Sequence, residues 1–272
     1  MGPGIGRLAA VHFGLWSVSP DLLVLAAILG LAVGSFANVC IFRIPAGLSL
    51  LRPGSRCPSC GSPIRAWENI PLLSYLLLRG RCRGCRAPIS ARYPAVELLT
   101  ALAYAATLEC LGPTPRALAG MVFVTILIVL AWIDWDHRVL PGAITLPGLV
   151  LGLLTSVVAP PPGPLESAAT ALGAYLGFFG IAAAYRRVRG VEGLGPGDWK
   201  MAAMLGAFLG WKKLILAVFL ANLGVALVGT ALAAWRRHGL RHALPLGTFL
   251  AAGGLVALLV GDALVAWYSA GR

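Results

Sequence analysis

Long uncharged runs alternate with short clusters of arginine and glycine along this chain. About 18–20 apolar residues suffice to cross a bilayer core of roughly 30 Å. Leu22–Phe42 meets that length, and Ala117–Ile133, Val139–Pro160, Ser167–Tyr185, Leu214–Trp235 and Ala243–Gly261 meet or approach it. Ala95–Gly112 is a weaker span, because it contains Glu97 and Glu109. Met201–Trp211 is short, and it crosses only if Asp198–Lys200 lie at its mouth. The pattern predicts an all-α polytopic membrane protein with about eight transmembrane helices. Three parts follow: an N-terminal span (1–44), a polar module (45–94) and a membrane core (95–272). A single Arg7 precedes Leu22 and no small-residue cleavage site follows the run, so the first span reads as retained.

Charge orients these spans. From Arg43 through Arg92 there are nine arginines and one acid, Glu68. The positive-inside rule assigns this module to the cytoplasm. Counting spans onward brings Asp134-Trp135-Asp136-His137-Arg138 to the cytoplasmic surface and Pro160–Pro164 to an outer turn. Arg186, Arg187, Arg189 and the loop ending at Asp198 return inside. Arg236, Arg237 and Arg241 belong inside too, which requires two crossings after Asp198 and leaves Lys212 and Lys213 outside, against the rule. Composition agrees with a membrane protein: 58% of residues are hydrophobic, 12% are charged and mean hydropathy is +0.84, where soluble domains carry about 25% charged residues. The net charge of +12 would point to nucleic acid in a soluble chain. Here the basic residues lie in loops and set topology, so the expected partner is the lipid bilayer and no nucleic acid.

Within the module, Cys57-Pro58-Ser59-Cys60 and Cys82-Arg83-Gly84-Cys85 form two CxxC pairs. A two-residue gap lets both thiolates reach one tetrahedral ion, as in zinc ribbons. The cytoplasm is reducing, which disfavours disulfides. A module of some fifty residues has little core of its own, and structural zinc can supply on the order of 10 kcal/mol of folding free energy. Cys57, Cys60, Cys82 and Cys85 are therefore expected to hold a structural zinc. Cys40 and Cys110 lie in or beside spans and read as buried apolar residues.

Acids are scarce, ten in the whole chain, and charge beside a span is usually functional. Asp21, Glu109, Glu166 and Asp262 fall at outer ends, as solvated interfacial acids. Asp134 and Asp198 both fall where a span meets the cytoplasm. Asp136, two residues on, would point about 200° away from Asp134 on a continuing helix. Asp198 closes a glycine-rich loop in which Gly195 and Gly197 allow positive φ and close backbone approach. Two carboxylates that share a site cannot both ionise easily, so one takes a proton from water while the other polarises a carbonyl. No GxSxG and no HExxH competes with them. Lys200 either holds this loop or snorkels to the interface. Arg92 and Glu97 are expected to pair beneath the module.

The residues resemble the type IV prepilin peptidase family. The likeness lies in Gly34–Pro45, the two CxxC pairs, Asn69–Leu76, Ile89–Leu98, Ile133-Asp134 with Leu140-Pro141, and Gly195–Lys200, over roughly residues 31–210 in order. The resemblance implies cytoplasmic cleavage of a short basic leader from type IV prepilins or type II secretion pseudopilins, after a glycine. It also implies N-methylation of the new terminus with S-adenosylmethionine. By motif position it puts the catalytic aspartates on Asp134 and Asp198 and the zinc ligands on the four cysteines. The Gly-x-Gly-Asp loop is also similar to that of archaeal preflagellin peptidases and presenilins. Gly142, Leu246-Gly247-Thr248 and Trp199 depart from the family pattern. Two other classes stay open on the residues: a phosphotransferase in which Asp134, Asp136 and Asp198 hold Mg²⁺, and a zinc-stapled membrane scaffold.

Overall fold

The computed structural model describes residues 18–191, 193–235 and 244–270. Among these the elements are helical: α1 (Pro20–Arg43), α2 (Leu73–Leu77), α3 (Arg92–Leu111), α4 (Pro115–His137), α5 (Gly142–Val158), α6 (Pro164–Arg189), α7 (Pro196–Trp235) and α8 (Leu246–Ala270). Six of them are long and apolar enough to cross a membrane, and α5 is a shorter apolar helix. The expected loop arginines Arg236, Arg237 and Arg241 lie outside the described residues.

Local signals set the helix ends. The Thr114 hydroxyl accepts the Ala117 N–H at the start of α4, and Pro115 fills the first helical position, where no N–H is needed. The helix runs through Asp134 and Asp136 to His137, past the expected end at Ile133, and Arg138 closes it in the left-handed region. Gly190 closes α6 in the same way at φ +72°.

A straight helix of 40 residues would be about 60 Å long, twice the bilayer core. Gly210, at φ +71° and ψ 171°, breaks α7 into two antiparallel-capable halves, 196–209 and 211–235. The two halves match the two helical segments expected after Asp198, so the helix count of about eight holds. The first half is short, but its residues face protein. Met201, Ala202, Met204, Leu205 and Ala207 have no exposed surface, and Phe208 stacks on Phe123 of α4 at 4.3 Å. A helix sheathed by α5, α6 and α8 has no need to match the bilayer thickness.

Lys213, which breaks the positive-inside rule, is buried just past this turn. Its Nζ lies 3.2 Å from an Asp262 carboxylate oxygen, and Arg116 reaches the same carboxylate at 2.9 Å. Asp262 is thus an ion-pair partner and not merely a solvated interfacial acid. Lys212 lies over the Trp211 ring.

Small residues permit close helix contact between α1 and α3. A Cβ at Gly30 of α1 would come 2.6 Å from the Ala101 Cα of α3, and one at Gly34 would come 2.8 Å from the Glu97 Cα. In lipid such close backbone approach drives helix association. The obstacle at Gly30 is backbone, so it cannot swing aside. Gly30→Val is expected to cost about 1–3 kcal/mol through overpacking, seen as a lower thermal unfolding midpoint in detergent. An unchanged midpoint would mean that α1 and α3 are not held this closely. Asn38, one turn further, donates to the Tyr93 carbonyl at 3.1 Å and ties α1 to the start of α3.

Candidate active site and metal centre

The ends of α4, α7 and α8 meet at the side of the bundle that carries the cysteine module. Asp134 lies on the last turn of α4 and is 5% exposed. Its Oδ2 accepts the backbone N–H of Thr248 at 2.8 Å, and the Thr248 hydroxyl lies 3.4 Å away. Thr248 belongs to the first turn of α8, where N–H groups have no acceptor inside the helix. A helix N-terminus also favours a neighbouring negative charge. Asp198 is the third residue of α7, and its Oδ2 accepts the Gly195 N–H at 2.9 Å. This is the reach-back of an acidic N3 side chain to the residue preceding its helix. Leu140 stands beside both acids, against Gly197 on one side and, on the other, against Gly247 next to the Asp134 Oδ2.

The structure places the other predicted site residues as follows. Gly197 packs against Leu140: a Cβ there would come 2.7 Å from the Leu140 Cβ. Gly195 supplies its N–H to Asp198. The Lys200 ammonium lies beside Gly142, 3.6 Å from where a Cβ would stand. Arg92 and Glu97 do not pair with each other as expected. Arg92 forms an ion pair with Asp136 and lies over the Trp132 ring at 4.8 Å. Glu97 is buried and accepts the Leu72 N–H at 2.8 Å. The reason is position. Arg92 starts α3 level with the end of α4, whereas Glu97 lies more than a turn deeper and meets the chain returning from the module.

Sequence reasoning missed Leu140, Gly247 and Thr248 as neighbours of the acids. Leu246-Gly247-Thr248 stands out in the sequence as a departure from the family pattern. Its contact with Asp134, 114 residues away, has no local signature.

The four module cysteines converge, with all their sulfurs within 4.8 Å of one another. Cys57 to Cys85 is 3.8 Å and Cys60 to Cys82 is 4.0 Å. Zn–S bonds of about 2.3 Å put tetrahedral sulfurs about 3.8 Å apart, so the donor set fits one tetrahedral ion. Each pair sits on a matching loop. Cys57 N–H donates to Ser62 and Cys82 N–H to Ala87, and Gly61 and Arg86 take positive φ at equivalent places. Hydrogen bonding to Ser62 pulls the Cys60 thiol down to about 6. The Ala87 backbone pulls Cys85 down, but hydrogen bonding to Cys60 and desolvation outweigh it and push that thiol up to about 11. Glu68 braces the two loops, accepting the Arg65 N–H and pairing with Arg83, each at 3.0 Å, and these contacts hold its carboxyl below the usual range. Cys40 and Cys110 take no part in the cluster.

Comparison with known proteins gives concordant results. Residues 28–110 match the family described as the bacterial peptidase A24 N-terminal domain, and residues 121–230 match the type IV leader peptidase family. A protein of Aeromonas hydrophila named prepilin leader peptidase/N-methyltransferase is 40% identical over 90% of this chain and 92% of its own length. Proteins of the same name from Burkholderia pseudomallei and Pseudomonas putida are each 39% identical, over 88% and 90% of this chain and 85% and 92% of theirs. No solved structure matches. With both halves of the chain matched and its relatives covered nearly end to end, the chain belongs to the type IV leader peptidase family, a family of aspartic peptidases.

Proposed function

We propose that the chain cleaves the basic leader from type IV prepilins or type II secretion pseudopilins at the cytoplasmic face of the inner membrane, and then N-methylates the new terminus. The observation that supports the proposal is that Asp134 and Asp198 are each held by a backbone N–H and that Leu140 packs beside both, against Gly197 and against Gly247. The relatives' name supplies the substrate class and the second activity.

In the proposed reaction one carboxylate is ionised and the other protonated, because two adjacent charges repel. The ionised oxygen takes a proton from a water between them. The water oxygen attacks the carbonyl of the leader's last glycine while the protonated acid donates to that carbonyl oxygen. Collapse of the tetrahedral intermediate breaks the C–N bond, and the leaving nitrogen takes a proton from the pair. The products are a leader carboxylate and a free amine. In the second step the amine would attack the methyl group of S-adenosylmethionine, releasing S-adenosylhomocysteine and a proton. Residues 45–94 form the zinc-stapled module of this reading and 95–272 the peptidase core. Zinc, held by four thiolates with no open position, would supply folding energy and no hydrolytic chemistry.

The test uses the purified full chain in proteoliposomes with a full-length prepilin, and product masses are read. Cleavage is expected in EDTA without added Mg²⁺, with the mature product one methyl heavier only when S-adenosylmethionine is present. Intact prepilin under all conditions would remove the peptidase reading. Mg²⁺-dependent turnover of a phosphorylated lipid by the same sample would then favour the phosphotransferase, and no turnover of either would favour the scaffold.

A further inference from the structure

We propose that Leu140 and the first turn of α8 form the frame that fixes the spacing of Asp134 and Asp198. The proposal rests on the catalytic reading of those two acids. Leu140 lies in the short link between α4 and α5 and is seated between two glycines. On one side is Gly197, where a Cβ would come 2.7 Å from the Leu140 Cβ and 3.1 Å from its carbonyl oxygen. On the other is Gly247, where a Cβ would come 2.8 and 2.9 Å from the two Leu140 methyl carbons and 2.9 Å from the Asp134 Oδ2. One glycine directly precedes Asp198, and the other directly precedes Thr248. A single residue therefore touches the glycine next to Asp198, through its Cβ and carbonyl oxygen, and the glycine beside the Asp134 Oδ2, through its methyls.

Thr248 completes the frame. Its N–H holds the Asp134 Oδ2, and its hydroxyl donates to the Ala131 carbonyl at 2.9 Å, which locks the first turn of α8 against α4. Leucine can neither donate nor accept a hydrogen bond, so Leu140 acts on distance alone. Alanine at 140 keeps the contact with Gly197 but removes the methyls from Gly247, which leaves room for the α8 end to slide toward the α7 end. A longer one at 197 or 247 forces them apart. Misplacing reacting groups by about 1 Å can cost about a hundredfold in rate. Leu140 and Thr248 are positioning residues, since neither supplies a group to the reaction.

The frame is tested on the full chain in proteoliposomes with a prepilin substrate. Leu140→Ala is expected to lower kcat roughly 10- to 100-fold with KM and metal content unchanged, and Leu140→Met to restore most of the rate. Thr248→Pro removes both donors at a first-turn position that tolerates proline, and it is expected to lower kcat similarly, while Thr248→Ser keeps the rate. Because Thr248 acts through Asp134, Thr248→Pro should slow an Asp134→Asn enzyme no further. If Leu140→Ala does not insert, Gly197→Ala presses on the same side chain from the other side and should lower kcat in its place. Wild-type kcat in folded Leu140→Ala and Thr248→Pro, with Asp134→Asn inactive, would overturn the frame and leave the catalytic reading standing. A fully active Asp134→Asn would instead remove the catalytic reading.

Discussion

Asp134→Asn and Asp198→Asn are each expected to slow leader cleavage by about a thousandfold or more while the protein stays inserted and folded. A positioned acid or base contributes roughly 10²–10⁴-fold, and in the proposed reaction each acid moves a proton that the other does not. Asparagine keeps the size of aspartate and one oxygen, so it can still accept from Thr248 or Gly195. What it loses is the ability to take or give a proton. The two losses should not multiply, because residues that act as a unit fail together. Asp134→Glu is expected to be nearly as damaging despite its charge, since the added methylene displaces a carboxylate whose donor is fixed at 2.8 Å. Asp136→Asn is the contrast: its carboxylate pairs with Arg92, so a change of less than about tenfold is expected. Initial rates from product masses, with thermal unfolding as the folding check, decide the matter. A folded variant of either residue that cuts near the wild-type rate removes that residue from the mechanism.

Much of this molecule was legible because its signals are local or topological. The apolar runs mark the helices because bilayer thickness sets their length. Two CxxC pairs announce a four-thiolate site because spacing within each pair is local chain geometry. Asp134 and Asp198 stood out because a membrane core tolerates few acids, and counting spans put both at one surface. What escaped notice depends on contacts between distant segments. Lys213 stands against the topology rule in the sequence because its partner Asp262, 49 residues on, is invisible from the local sequence. Arg92 and Glu97, five apart, looked like partners, yet each faces a different segment. Arg92 meets the end of α4 and Glu97 meets Leu72. Leu140 and Thr248 carry no chemistry of their own and gain meaning only beside the acids. The turn at Gly210 was nearly placed, because the following lysines split the apolar run one turn too late.

Loss of metal is expected to unfold the two cysteine loops, residues 55–64 and 80–89, and leave the helical core intact. Among residues 45–91 only Cys57 is buried, so no apolar core can hold the module together. Structural zinc contributes on the order of 10 kcal/mol in comparable small sites, far more than the few exposed hydrogen bonds between the loops. Cys57→Ser or exhaustive chelation should therefore abolish the stoichiometric metal. Amide exchange should become fast at Cys57, Cys82 and Ile89, whose N–H groups close the two loops. Cys40→Ser and Cys110→Ser should keep the metal, because neither sulfur joins the cluster. Protection in α4, α7 and α8 should persist, since residues such as Phe123, Leu130 and Leu205 are fully buried without help from the module. Metal-free protein with unchanged protection across 55–64 and 80–89 would show that something other than metal holds these loops. The boundary of the effect is also fixed in advance. Leu72 N–H is bound to Glu97 of α3 and not to a module group, so its amide should remain slow while those on either side, within the loops, become fast.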